Sequence, residues 1–209
     1  MGQRSGRARP RVRAAVVAER AEATREALIA TARRLFVHKG YFATGTEEIV
    51  AAAGVGTRGA LYHHFADKRA LFLAVFERVE EDLLASAGGA DTTGDALTLL
   101  RGGLLGFLNA SLTPEVQRIL LIDGPAVLGW QQWRATEKRY GLGAIRALLE
   151  RAVAEGSLSA QPLDALAHIL LAAVDEAALF IAGADDPPAA REQAVTAVER
   201  LLAGLTTGS

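Results

Sequence analysis

The chain has no cysteine among its 209 residues, which excludes disulfide frameworks, thiolate metal sites and cysteine nucleophiles. Lysine is scarce as well, with three Lys against 20 Arg. Beyond residue 90 no β-branched, alternating segment exists from which a sheet could be built. There is no internal repeat and no nucleophile elbow. The four histidines, His38, His63, His64 and His168, lack metal-ligand spacing with carboxylates, so neither a metal nor a cofactor is expected. The longest apolar run near the start, Ala14 to Ala18, is too short for a secretory signal. Residues 165–182 are nearly all apolar, but the adjacent Asp175 and Glu176 argue for a buried helix rather than a membrane span. Catalysis is not expected, and the location expected is cytoplasmic.

What is present is the composition of a globular protein of one or two domains, 50% apolar and 22% charged. The net charge of −1 conceals a split. Residues 1–70 hold 13 Lys/Arg and 6 Asp/Glu, net +7, whereas residues 71–209 hold 10 and 18, net −8. A basic head on an acidic body implies that one end meets an anionic partner. The first 18 residues carry five Arg and no acid. A transit peptide has that composition too, but a basic arm leading into a nucleic-acid module is the preferred reading.

Punctuation along the chain predicts helices throughout. Residues 1–21, with Gly2, Gly6 and Pro10, read as a flexible basic arm. Thr24 opens an apolar stripe at Leu28, Ala32, Leu35 and Phe36 that Gly40 stops. Thr44 and Glu47 have capping-box spacing before a short helix to about Ala53. Thr57 and Asp67 are the expected caps of the next two helices, the second running to about Ser86. Thr92 with Asp95 and Thr113 before Pro114 open two more, and Gln131 to Ala154 forms another, closed by Gly156. Pro162 starts a further helix, and the Asp185-Asp186-Pro187-Pro188 turn starts the last. The fold class is all-α with about nine helices.

The long helix, short helix, Gly-containing turn and second short helix form a helix-turn-helix arrangement, whose second member enters the major groove. Arg58 offers a bidentate donor to guanine. Gly59 and Ala60 let the backbone approach a duplex, while Tyr62, His63, His64 and Lys68 suit phosphates. Leu61 and Phe65, four apart, are core. The Arg residues of the arm either solubilise the chain or track phosphates and reach the minor groove.

These residues resemble the tetracycline-repressor (TetR) family of transcriptional regulators. The resemblance rests on Ala32, Leu35, Phe36, Gly40, Tyr41, Thr44, Ile49, Ala53-Gly54-Val55, Leu61-Tyr62-His63-His64-Phe65, Lys68 and Leu71, within roughly residues 24–80. It implies a homodimer binding a pseudo-palindromic operator, a DNA-binding domain over 22–68 and a ligand-binding and dimerisation domain over 69–209. It places Thr46, Thr57, Arg58, Gly59, Tyr62, His63, His64 and Lys68 on DNA. Gly45 stands where the family often has a capping Ser or Thr, so Thr44 or Thr46 is expected to cap instead. The turn Gly54-Val55-Gly56-Thr57 is one residue longer than the common pattern. The function implied is a ligand-responsive repressor; an activator or architectural protein without effector is the alternative.

One motif points elsewhere. Gly54-Val55-Gly56-Thr57-Arg58-Gly59 satisfies the dinucleotide pattern G-x-G-x-x-G, with Glu77 near the ribose-binding distance. Ile49-Val50 and Leu71 to Phe76 would have to be strands with a crossover helix between them, and there is no room for one. The nicotinamide-enzyme reading is therefore remote.

In the body, the helices at about 162–183 and 188–204 are the expected dimer interface, pairing across a two-fold as four helices. The expected effector pocket draws on aromatic or polar residues of otherwise apolar helices: Phe107, Arg118, Asp123, Trp130, Trp133, Tyr140, His168 and Asp175, with Asn109, Glu176 and Phe180 as further candidates. Carboxylates there suit a cationic or hydrogen-bonding ligand.

Overall fold

The computed structural model describes residues 8–88 and 94–206, with backbone alone for residues 8–13, 87, 88, 137 and 206. Every regular element among the described residues is helical. The chain divides into two compact units, one up to Val75 and one from Phe76 onward. The expected boundary after residue 68 is too early, because Phe72 on α4 (Lys68–Gly88) stacks in the head core, 5.5 Å from the Phe36 ring.

In the first unit, α1 spans Ala8–Lys39. It overruns the arm expected to residue 21. The reason is local: Arg, Ala and Glu are strong helix formers, and no Gly or Pro interrupts the chain between Pro10 and Gly40. Pro10 falls in the first turn, where its missing N–H costs nothing. Residues 1–7, which include Arg4, lie outside the described residues. Thr24 does not cap; its hydroxyl donates to the Arg20 carbonyl at 2.9 Å inside the helix. Gly40, at φ 79°, ends α1 in a left-handed conformation that a β-carbon would strain.

The short helices are α2 (Thr46–Ala53) and α3 (Arg58–His64). The expected capping box of α2 does not form. Gly45 occupies the cap position without a side-chain bond, and buried Thr44 donates instead to the Gly40 carbonyl at 2.8 Å. Thr46 is the first helical residue, its hydroxyl turned to Glu47 at 3.3 Å. Thr57 is the N-cap of α3 by backbone geometry, but its side chain makes no cap bond. Asp67 caps α4 as expected, accepting from Ala70 N–H at 2.7 Å. Leu28, Phe36, Ile49, Leu61, Leu71 and Phe72 are fully buried, and each contributes about 1.5–3 kcal/mol.

The second unit packs the rest of the chain. α5 (Ala96–Ala110) is capped by Asp95, which accepts from Thr98 N–H at 2.9 Å; Thr92 lies outside the described residues. α6 is a π-helical stretch, Val116–Asp123, running on as the α-helical Gly124–Leu128. α7 begins as Trp130–Glu137, loosens to π-helix over Lys138–Leu142, and tightens again over Gly143–Ala154. α8 spans Leu163–Ala182 and α9 Pro187–Thr206. Leu100, Leu104 and Leu108 of α5 share one core with Ile145 and Leu149 of α7, Leu170, Val174 and Ile181 of α8, and Val198 of α9. Gly124 is required by close approach: a β-carbon there would stand 2.8 Å from the Phe76 ring and 3.1 Å from Trp133.

α8 is long and apolar enough to cross a membrane by composition. Its Asp175 is instead buried against Arg134 at 3.4 Å, and its inner face is covered by the core residues just named. The outer face is another matter. Ile169, Leu179 and Phe180 of α8 are exposed, as is Leu201 of α9.

Candidate DNA-reading face and ligand cavity

The head presents Thr57, Arg58, Gly59, Tyr62 and His63 as exposed residues of α3 and its cap, with Thr46 and His64 half-buried beside them. Arg58 takes the first position of α3, which fixes its register despite the longer turn. Its guanidinium meets Glu47 at 2.6 Å, donates to the Tyr62 hydroxyl at 3.4 Å and lies 5.8 Å from that ring's centre. Bonding to Arg58, then to Thr46, lowers the pKa of the Tyr62 phenol. The Arg58 hydrogen bond to Tyr62 and the charge of Glu47 raise that of the guanidinium. The rings of His63 and His64 meet edge to face at 5.2 Å.

Gly59 has no internal reason to be glycine. A β-carbon there would meet only the Thr57 hydroxyl, at an ordinary 3.5 Å. Lys68 has a different job from the phosphate contact expected of it. Its ammonium donates to the carbonyls of Tyr41 at 2.7 Å and Thr44 at 2.8 Å, tying the start of α4 to the turn after α1.

The glycine pattern of residues 54–59 resolves into caps. Gly54 closes α2, Thr57 opens α3, and Ile49 and Val50 are buried in a helix rather than a strand. Glu77 lies in α4 and pairs with Arg139 at 3.4 Å. A dinucleotide-binding turn needs a preceding strand, and none exists among the described residues.

The second unit holds a cavity of about 470 Å³. Leu83, Leu84, Leu100, Leu104, Leu120, Leu121, Ile145, Leu148, Leu171 and Val174 give it apolar walls, and Phe107 and Asp175 line it as expected. Both π-helical stretches contribute, through Leu120, Leu121 and Gly141, in keeping with the use of such widened turns at functional sites.

The other expected pocket residues lie outside the lining. Arg118 and buried Asp123 satisfy each other at 3.2 Å. Trp130 is 67% exposed, and Trp133 is core, donating its indole N–H to the Leu120 carbonyl at 3.2 Å. Tyr140 points its hydroxyl to Glu81 at 3.5 Å, and His168 Nδ1 stands 2.8 Å from the Asp164 carbonyl of its own helix.

The cavity's other acid, Glu80, was not anticipated. Burial, and secondarily the charge of Asp175, pushes its carboxyl up to about 7; burial raises Asp175 to about 6 against the opposing pull of Arg134. The signal was present in the sequence. Glu80 sits four residues after Phe76 and three before Leu83, on the apolar stripe of its helix.

A helix-turn-helix head joined in one chain to a hollow helical unit defines a DNA-binding protein with room for a small molecule. Comparison with known proteins agrees. Residues 28–75 match the model for bacterial regulatory proteins of the tetR family, and residues 97–205 match a tetracyclin repressor-like C-terminal domain. The Tn10 TetC protein of Escherichia coli is 30% identical over 73% of this chain and 77% of its own length. The transcriptional regulator AcrR of Shigella flexneri is 39% identical over 49% of this chain, a match that spans about half, 48%, of that protein. A TetR-family regulator of Pectobacterium atrosepticum has the same fold, with TM-score 0.79 and 35% identity over 90% of this chain and 97% of its own. The chain belongs to the TetR family of DNA-binding transcriptional regulators.

Proposed function

We propose that the protein is a homodimeric, cytoplasmic repressor that leaves its operator when a small molecule fills the cavity of its second unit, and that it catalyses no reaction. The cavity carries this reading: it has the size and the mostly apolar walls of a ligand pocket, with few polar groups. Arg58 reads base edges, Gly59 admits the duplex backbone, and Thr46, Thr57, Tyr62, His63 and His64 serve phosphates.

Dimerisation is supported by the outer face of α8 and α9. Ile169 and Phe180, three turns apart, fall on one side of α8 with exposed Leu179 beside Phe180 and the charged Glu176 between them, and large apolar side chains left exposed together fit an interaction site. Two heads must then match half-sites about 34 Å apart, so a ligand that favours a different spacing lowers operator affinity. A differential affinity of about 1–3 kcal/mol between the two states suffices for such control. The test is a mobility shift on DNA flanking the protein's own gene, with and without a panel of small molecules. Retardation that particular compounds relieve is the expected result; failure to retard that DNA in any condition sinks the proposal.

A further inference from the structure

The cavity wall contains two carboxyl groups, Glu80 from α4 and Asp175 from α8. Asp175 has a counter-charge in Arg134 at 3.4 Å. Glu80 is only 9% exposed, and among the described residues no hydrogen-bond donor or cation meets its carboxyl. The neighbouring charges are committed elsewhere. On α4 itself, Glu77 pairs with Arg139 of α7, and Glu81 is met by Arg78 and by Tyr140 of α7. Arg101 of α5, the cation in the cavity wall, pairs with Glu199 of α9, and Arg118 of α6 pairs with Asp123. Two acids therefore share one cation, which leaves the wall one positive charge short.

We propose that the cavity is built for a hydrophobic molecule carrying a single positive charge, which Glu80 receives; the inference rests on reading the cavity as the effector site. An ionised carboxylate without a partner is costly in such surroundings, so before a ligand enters a proton on Glu80 completes the charge of the wall. An incoming ammonium supplies the same charge and displaces that proton. The leucine walls take the apolar part of the ligand. A neutral molecule of the same shape leaves Glu80 protonated and gains nothing from it, and an anion meets Asp175 and Glu80 as repulsion. A cation in this wall is discriminated by charge, not shape.

The probe is (1-naphthylmethyl)trimethylammonium, whose fixed charge cannot titrate, set against its neutral carbon isostere 1-neopentylnaphthalene. Both are titrated into the full chain by calorimetry at pH 6, 7 and 8, in two buffers of different ionisation heat. The cation is expected to release about half a proton at pH 7 and to bind about tenfold tighter at pH 8 than at pH 6, as displacement from a group titrating near 7 requires. The isostere binds at least about tenfold more weakly at pH 8, with no proton released. In Glu80→Gln the cation's proton release and pH dependence disappear. The wild-type pH series is decisive even where that variant fails to fold. Equal affinity for the two probes, binding of neither, or proton release that survives Glu80→Gln overturns the inference. Operator mobility shifts with each probe separate it from the effector reading. Cation binding that leaves operator affinity unchanged overturns the effector reading alone; operator release by the neutral probe overturns the charge preference alone.

Discussion

The ammonium of Lys68 lies 4.0 Å from the centre of the Tyr41 ring while donating to the Tyr41 carbonyl at 2.7 Å. One side chain thus holds another by both its face and its backbone. Tyr41 in turn packs against Phe36, tilted, and Phe72, edge to face, at 5.6 and 5.2 Å, so Lys68 anchors the aromatic centre of the head to the turn that precedes α2. Hydrogen bonds from a charged donor to carbonyls, with a cation–π contact added, are worth a few kcal/mol when partly buried.

Lys68→Met is accordingly expected to lower unfolding stability by about 1–3 kcal/mol, measured by urea denaturation. The slope of log operator affinity against log salt should stay the same. A phosphate contact would instead give up nearly one unit of slope and leave stability intact.

Gly59→Ala is expected to move stability and DNA binding in opposite directions. The added methyl finds ordinary space inside the protein, so the helix gains up to about 1 kcal/mol from the better propensity of alanine. Operator affinity should fall by about tenfold or more, because the methyl intrudes where a duplex backbone comes close. Thermal unfolding and mobility shifts on the same preparation decide it; a variant with improved stability and full affinity sinks the close-approach role.

Stability should decline as pH rises from about 4.5 to 7.5. The folded pKa of Glu80 is raised from the ordinary 4.5 to about 7, so across that window the folded protein holds a proton that the unfolded chain has lost. Stability therefore falls with rising pH by about 3 kcal/mol and levels off above the folded value. Asp175, raised from 3.8 to about 6, adds a decline of the same sign at the lower end. Glu80→Gln should flatten most of the slope and be more stable than the wild type at pH 8. A wild-type profile that climbs between pH 5 and 7 would contradict both assignments.

Phe180→Arg, combined with Leu201→Arg, is expected to convert the dimer into a monomer on size-exclusion chromatography with light scattering. Both positions are more than half exposed in the single chain, so the monomer should retain its helical content. Operator affinity then falls by at least about a hundredfold, because only one half-site is held at a time. A double variant that remains dimeric places the interface elsewhere.

Local signals in the sequence carried much of this architecture, and their failures are instructive. Asp67 and Thr113 announced helix starts because a capping carboxylate or hydroxyl acts within three residues of itself, whereas Asp95, expected as the partner of a Thr92 cap, is itself the cap of α5. The true beginning of α1 had no such mark; Gly and Pro before residue 11 suggested a loop, yet helix propensity carried the chain through Pro10. Thr44 misled for a related reason. A hydroxyl at capping distance has a second option, and burial gave it the Gly40 carbonyl.

The residues proposed to read DNA could be named from the sequence because the head is small and its family pattern dense. The cavity could not. It is a space left between helices, and neither aromatic nor polar character tells which side of a helix faces that space. Trp133 and Asp123 look like ligand contacts and are core residues with partners of their own. Glu80 stands in the charged run Glu77-Arg78-Val79-Glu80-Glu81, and only its phase on the Phe76–Leu83 stripe distinguishes it from its neighbours.

The two tryptophans of the chain, Trp130 and Trp133, stand 5.1 Å apart at the start of α7, one in water and one in the core. The buried indole is bonded to the carbonyl of Leu120, a residue whose own side chain lines the cavity. The protein therefore carries an optical gauge of its own. Light absorbed by these two rings is emitted with a colour and yield set partly by a hydrogen bond to a residue that lines the cavity. A compound entering that space can be followed without a dye, a tag or a strand of DNA.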